Sequence, residues 1–198
     1  MSKLRKAEAK LRNREQHILR TQNELEREMD FLGVTGVEDK LQENVELTIE
    51  SLKAAGIQIW MLTGDKVETA TNIAISTGLK ARKNQLFFLR EILDPNEVLS
   101  KLETLHRYIK NTTVIIDGKT LDTVFNNEAA MDRFFNLVIL APCVCVCRCS
   151  PTQKAEIAKS LKYYTEGKRI CGIGDGGNDV GMILESDCGV GIEGKEGM

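Results

Sequence analysis

Three short apolar runs in this 198-residue chain end in loops rich in Gly and Asp, and each loop leads on to a further element. Residues 57–62 (IQIWML) run into Thr63-Gly64-Asp65, residues 113–116 (TVII) into Asp117-Gly118, and residues 169–173 (RICGI) into Gly174-Asp175-Gly176-Gly177-Asn178-Asp179. Short apolar runs bounded by glycine read as buried strands. Between them lie amphipathic stretches that read as helices: 41–55 closed by Gly56, 67–77 stopped by Gly78, about 95–109 inside a mixed stretch 79–112, one from Ser150-Pro151-Thr152, and 180–185. Two more strands fall within 137–149 and 188–192. Strand and helix in alternation predict an α/β fold, a parallel sheet with helices on both faces. Ligands of such sheets sit at the carboxyl ends of the strands, where these polar loops fall.

The first thirty residues are different. Leu4, Leu11, Ile18, Leu25 and Leu32 recur every seven positions among Lys, Arg, Glu and Gln, whereas the companion positions Arg14, Thr21 and Glu28 are polar. Half a heptad pattern predicts one long solvated helix with a thin docking stripe, rather than a coiled coil. A formal net charge of −2 and no long basic patch argue against a nucleic-acid partner. No apolar run reaches the roughly 18–20 residues of a membrane helix, and a first twenty residues charged throughout do not resemble a signal peptide. The segment is expected to be soluble.

Four of the six cysteines, Cys143, Cys145, Cys147 and Cys149, alternate with Val144, Val146 and Arg148. Strand periodicity predicts that the four sulfurs line one face. Neighbours two apart on a strand do not meet disulfide geometry, so a reduced, buried strand is the expectation. A thiolate metal cluster is the alternative, without the usual zinc spacing or a paired His.

The loops carry candidate chemistry. Asp175 follows a strand directly, and Asp179 opens the next helix four residues on, so both carboxylates can turn toward one hard cation such as Mg²⁺, which takes oxygen ligands and keeps several waters. Thr63 offers a hydroxyl and Gly64 an unobstructed N–H, a cradle for an oxyanion, with Asp65 beside it. Lys154 stands in the first turn of a helix, where acids are usual, which points to an anion in front of it. Arg148 adds a positive group near the end of the cysteine strand. Each loop alone also reads as a turn or a helix cap.

Taken together, VTGVEDKLQENV, AGIQIWMLTGDKVETATNIA, CRCSPTQKAEIAKSL and GDGGNDVGMI with CGVGIEGKEG resemble the phosphorylation domain of P-type ATPases, in wording nearest to class IV, the phospholipid flippases, and their Neo1-like branch. The resemblance covers about residues 30–198 and implies a haloacid-dehalogenase-like fold over 31–198. Residues 1–30 then resemble the chain returning from a nucleotide-binding domain. It implies that Thr63, Gly64 and Asp65 belong to the nucleotide and phosphate site, and that Lys154 stabilises the phosphoryl group with Thr63 as a catalytic partner. Arg148 would lie near the nucleotide, Asp175 and Asp179 would bind Mg²⁺, and Asn178 and Asp179 would complete the site. ATP as substrate, Mg²⁺ as cofactor, phospholipid as cargo of a membrane domain, and the actuator, nucleotide-binding and membrane domains as partners follow from the same resemblance. So does a place on the cytosolic face of a Golgi or endosomal membrane.

One departure matters. The family's nucleophilic aspartate lies in a DKTG-type motif upstream of the TGD loop, on a central strand, and residues 1–62 contain no such motif. Asp117-Gly118-Lys119-Thr120 comes after the TGD loop with its letters in another order, and reads first as a turn. The expectation is an inactive half-site with its central strand missing. Rival readings are a dinucleotide-binding domain on Gly172, Gly174 and Gly177 with Glu193, a P-loop on 189–195 with Glu196 in place of the usual Ser or Thr, and a non-catalytic module built on the N-terminal helix. Asp175 beside a pyrophosphate counts against the first.

Overall fold

The computed structural model describes residues 3–8, 10, 13–27, 30, 32–35 and 41–193. Leu11 and Glu28 of the seven-residue stripe, and Lys195 and Glu196 of the P-loop reading, lie outside them. The chain divides into two compact units, Met1–Lys40 and Leu41–Met198.

The first unit corrects the expectation of one long helix. Its described residues hold two, α1 (Lys3–Glu8) and α2 (Arg14–Leu25). Asn13, immediately before α2, takes φ 52°, the left-handed region that Asn tolerates better than most residues. Lys3 reaches Glu24 at 3.5 Å, so the two helices lie side by side. Half a heptad stripe cannot hold a longer rod: Ile18 is half-buried and Leu32 is 98% exposed.

In the second unit, α3 (Val45–Ala54) ends at Gly56, with φ 82°, and leads to β1 (Ile59–Leu62). Then follow α4 (Val67–Ser76), β2 (Gln85–Leu89), α5 (Pro95–His106), β3 (Thr112–Asp117), α6 (Gly118–Phe125), α7 (Glu128–Val138), β4 (Cys143–Cys147), α8 (Pro151–Tyr164), β5 (Cys171–Gly174), α9 (Val180–Glu185) and β6 (Cys188–Gly191). Four strands form a parallel sheet in the order β1-β4-β3-β2, and β5 pairs with β6, also in parallel, as a separate two-stranded sheet. The α/β class and the helices on both faces are as the alternation predicted.

β3 and β4 are buried at every residue. On one face Ile115, Cys143, Cys145 and Cys147 pack with Ile49 of α3 and Ala70 and Ala74 of α4. On the other, Leu89, Val114, Ile116, Val144 and Val146 meet α5, α6, α7 and Ile157 of α8. The expectation of four sulfurs on one face holds for three. Cys149 belongs to the opposite cluster, because Arg148 takes φ 49° and breaks the two-residue alternation just beyond the strand. Among the described residues no helix is long and apolar enough to cross a membrane.

Candidate functional site

The TGD loop extends β1 past its last residue. Thr63 N–H donates to Val146 O at 2.9 Å, Cys149 N–H donates to Thr63 O at 2.9 Å, and Arg148 N–H donates to Asp65 O at 2.9 Å. The left-handed turn at Arg148 lets its backbone follow Asp65 while its side chain stays exposed. Thr63 Oγ1 accepts Asp65 N–H at 3.1 Å, which closes the turn and leaves the hydroxyl proton without an acceptor among the described residues. Gly64 and Asp65 are exposed.

Cys149 leads into the start of α8. Ser150 Oγ accepts Gln153 N–H at 3.2 Å and Gln153 Oε1 accepts Ser150 N–H at 2.9 Å, a reciprocal capping box, with Pro151 in the first turn. The S-x-x-Q spelling of Ser150 to Gln153 is the sequence signal of this cap. This cap aims the next residue, Lys154, inward. Lys154 is 4% exposed and its Nζ donates to Asp179 Oδ1 at 2.7 Å; Asp179 is itself 6% exposed. Lys154 is therefore a buried group and not a solvated surface lysine. The anion in front of the helix is Asp179, on a short 3₁₀ turn (Gly177–Asp179) ahead of α9.

The GDGGND loop is shaped around that carboxylate. A Cβ at residue 174 would stand 2.3 Å from Asp179 Cβ, so only glycine lets the side chain cross the strand end. At residue 176 it would stand 2.4 Å from Asn178 Oδ1. Asp175 is exposed and has no hydrogen-bond partner among the described residues; Asn178 is exposed too. Asp179 thus has one oxygen committed to an ammonium, whereas Asp175 keeps a free carboxylate. Among the described residues no three His, Cys, Asp or Glu side chains converge on one point. A cation here would take most of its ligands from elsewhere, which suits Mg²⁺ with its retained waters and phosphate oxygens.

The residues singled out in the sequence therefore join in series: Thr63 to Cys149 through the backbone, the Ser150 cap to Lys154, and Lys154 to Asp179. No hydrogen bond or ion pair among the described residues joins the TGD loop directly to the GDGGND loop. Arg148 instead lines a cleft of about 490 Å³ with Glu68, Arg90, Asp117, Lys119 and Gln153. Asp117 is 5% exposed and caps α6: Oδ1 accepts Thr120 N–H at 2.8 Å and Oδ2 accepts Glu91 N–H at 2.9 Å. The Asp117-Gly118-Lys119-Thr120 stretch is a helix start.

Comparison with known proteins adds the context. Residues 2–187 match the haloacid dehalogenase-like hydrolases. The chain is 45% identical over 196 residues to the probable phospholipid-transporting ATPase IIB of Bos taurus, covering 99% of this chain and 17% of that protein. It is 47% identical over 173 residues to the phospholipid-transporting ATPase NEO1 of Saccharomyces cerevisiae (87% and 15%), and 38% identical over 192 residues to the probable phospholipid-transporting ATPase tat-5 of Caenorhabditis elegans (96% and 18%). The chain therefore spans under a fifth of the length of these relatives. The resemblance to class IV P-type ATPases holds over nearly the whole chain, which leaves the dinucleotide-binding reading without support.

Proposed function

This chain belongs to the haloacid dehalogenase-like hydrolases, and from that premise we propose that it supplies the phosphate- and Mg²⁺-binding loops of the phosphorylation domain of an ATP-driven, phospholipid-translocating ATPase. The observation that carries the reading is the buried Lys154–Asp179 pair at the carboxyl end of β5, with Asp175 free beside it. A charge pair taken out of water returns little net stability, so its presence at a strand end argues for a task rather than for packing. Lys154 supplies positive charge toward a phosphoryl group, Asp179 holds that ammonium in place, and the Thr63 hydroxyl with the Gly64 N–H faces phosphate oxygens. Arg148, Asp65 and Asn178 contact the nucleotide. Mg²⁺, when bound, neutralises charge on the phosphate oxygens, and Asp175 is the residue that would hold it.

The broken sheet supports the same reading. Among the described residues β1 is bonded only to β4, and β5 only to β6, so each offers an open edge. The face beside β5 is apolar and wet: Ile173 is 58% exposed and Val190 41%. A parallel strand carrying the phosphorylated aspartate fits between β1 and β5 and joins the two sheets. The chain as it stands is then a half-site, inactive without that strand and with the nucleotide-binding, actuator and membrane segments beyond these residues. Its place is the cytosolic face of the membrane that the transporter spans.

Calorimetric titration of the chain with Mg²⁺ tests the half-site. Loss of the nucleophile's oxygen ligands leaves Asp175 as the main protein ligand, so the expected affinity is millimolar or weaker, reduced further by Asp175→Ala. Micromolar binding that Asp175→Ala leaves intact places the metal elsewhere and contradicts the reading.

A further inference from the structure

Gln153, 6% exposed beside Lys154, makes contacts that a helix cap does not need. The cap itself uses its N–H and its Oε1. The amide nitrogen is left over, and it donates twice across to α6: to Gly118 O at 2.8 Å and to Asp122 Oδ1 at 2.6 Å. The two segments meet at the closest approach the backbone permits. A Cβ at Gly118 would lie 2.5 Å from Arg148 O and 3.0 Å from Gln153 Oε1. Both amide hydrogens and the amide oxygen are thus committed, beside a glycine where a Cβ has no room.

We propose that Gln153 is a positioning residue for Lys154, a clamp that ties the first turn of α8 to the start of α6 so that the ammonium is held at the strand ends. The proposal rests on Lys154 being the phosphate-facing group of the function proposed above, and it gives the Asp117–Asp122 stretch a purpose that its chemistry alone did not. Lysine reaches its target through a flexible four-carbon stem, so the place of its charge is decided by where the helix start is pinned. Lys154's own contact, with Asp179, lies on the β5 side. Gln153 supplies the opposing tether, from β3 through Asp117 and α6. Pulled from both sides, the turn has one position.

The test reads the amine directly. The folded chain is treated with acetic anhydride, and acylation at Lys154 is followed by mass spectrometry against Lys159, an exposed lysine on the same helix. Gln153→Glu sets a new carboxylate against Asp122, replaces the donor to Gly118 O with an acceptor, and is expected to raise Lys154 labelling about tenfold relative to Lys159, the loss of one charge-assisted hydrogen bond from the closed state. Adding Asp122→Asn returns a donor to the pair and is expected to bring the labelling back toward the native level. Should Gln153→Glu not fold, Asp122→Ala alone, which removes one acceptor and leaves the cap intact, is expected to raise labelling by a smaller factor. If Lys154 stays protected in every variant while the melting temperature falls, Gln153 is a packing residue only and the proposal is overturned. The amine readout needs no activity. Restored protection in the double variant, together with normal phosphoenzyme formation in a full-length ATPase carrying Gln153→Glu, would keep the clamp but remove its purpose, and the function assigned to Lys154 would fail instead.

Discussion

The two sheets of the second unit are built on opposite terms. In the four-stranded sheet, β3 and β4 are buried at every position and each is bonded on both sides. In the two-stranded sheet every residue of β6 is exposed, and in β5 only Gly172 is buried. The first sheet is held by apolar area on both faces, which contributes in proportion to surface removed from water. The second is held by specific polar ties: Lys154 to Asp179, Asp187 Oδ2 accepting Ile170 N–H at 2.9 Å, and Ile192 N–H donating to Gly174 O at 2.8 Å. The difference teaches that the proposed catalytic loop sits on the half with less buried apolar area, where specific polar ties do the placing.

That contrast breaks most sharply at Lys154. Lys154→Met keeps the volume and leaves Asp179 buried without its cation, a change expected to cost about 3–5 kcal/mol. Urea unfolding measures the loss, and amide exchange locates it: β5 and β6 should exchange faster while β3 and β4 hold. Equal acceleration in both sheets would mean that the pair supports the whole core and the two halves are not distinct.

A smaller effect separates the thiols. Burial pushes Cys147 up to about 11 and Cys149 up to about 12, from an ordinary value of 9.0. Cys171 and Cys188 are exposed. Iodoacetamide near neutral pH should modify Cys171 and Cys188 in the folded chain and spare Cys143, Cys145, Cys147 and Cys149 until it unfolds. The pH dependence follows the same cause. A thiol whose folded value is raised contributes its full stability below about 9 and loses it as the pH climbs toward about 12, so the chain should unfold in base across that window. Early modification of the strand thiols would contradict the burial of β4.

The smallest effect lies at Asp187. The Ile170 N–H, with Lys162 and Arg169 nearby, holds its carboxyl below the usual 3.8. A lowered folded value means that the contribution is present above about 3.8 and lost as the pH falls through the folded value. Asp187→Asn should therefore flatten the acid limb of the stability curve and leave the midpoint at neutral pH only slightly changed. A large loss at neutral pH would show that Asp187 acts through packing.

The strands that end in polar loops were legible because a buried run followed by glycine has few other readings. β2 was not: Gln85–Leu89 sits in a mixed stretch after Ala81-Arg82-Lys83-Asn84, and of its side chains only Leu89 is buried. The start of α6 is ambiguous in sequence, because an Asp-Gly pair after a strand suits a turn as well as the helix cap that Asp117 forms. Lys154 was legible as a residue facing an anion, but the identity of that anion depends on α8 meeting the turn before α9, a tertiary fact. The place of Cys149 depended on one backbone angle at Arg148, which periodicity cannot foresee.

The central claim, that this chain is a phosphate half-site awaiting a strand with the nucleophile, is tested most directly by phosphoryl transfer. The chain is incubated with Mg²⁺ and ATP labelled at the γ-phosphate, quenched in acid and examined for bound label, beside a full-length ATPase of the same family. The account predicts no acid-stable label on this chain and a labelled full-length protein. Label on the isolated chain, abolished by Asp117→Asn, would contradict it and make the Asp117-Gly118-Lys119-Thr120 stretch the acceptor.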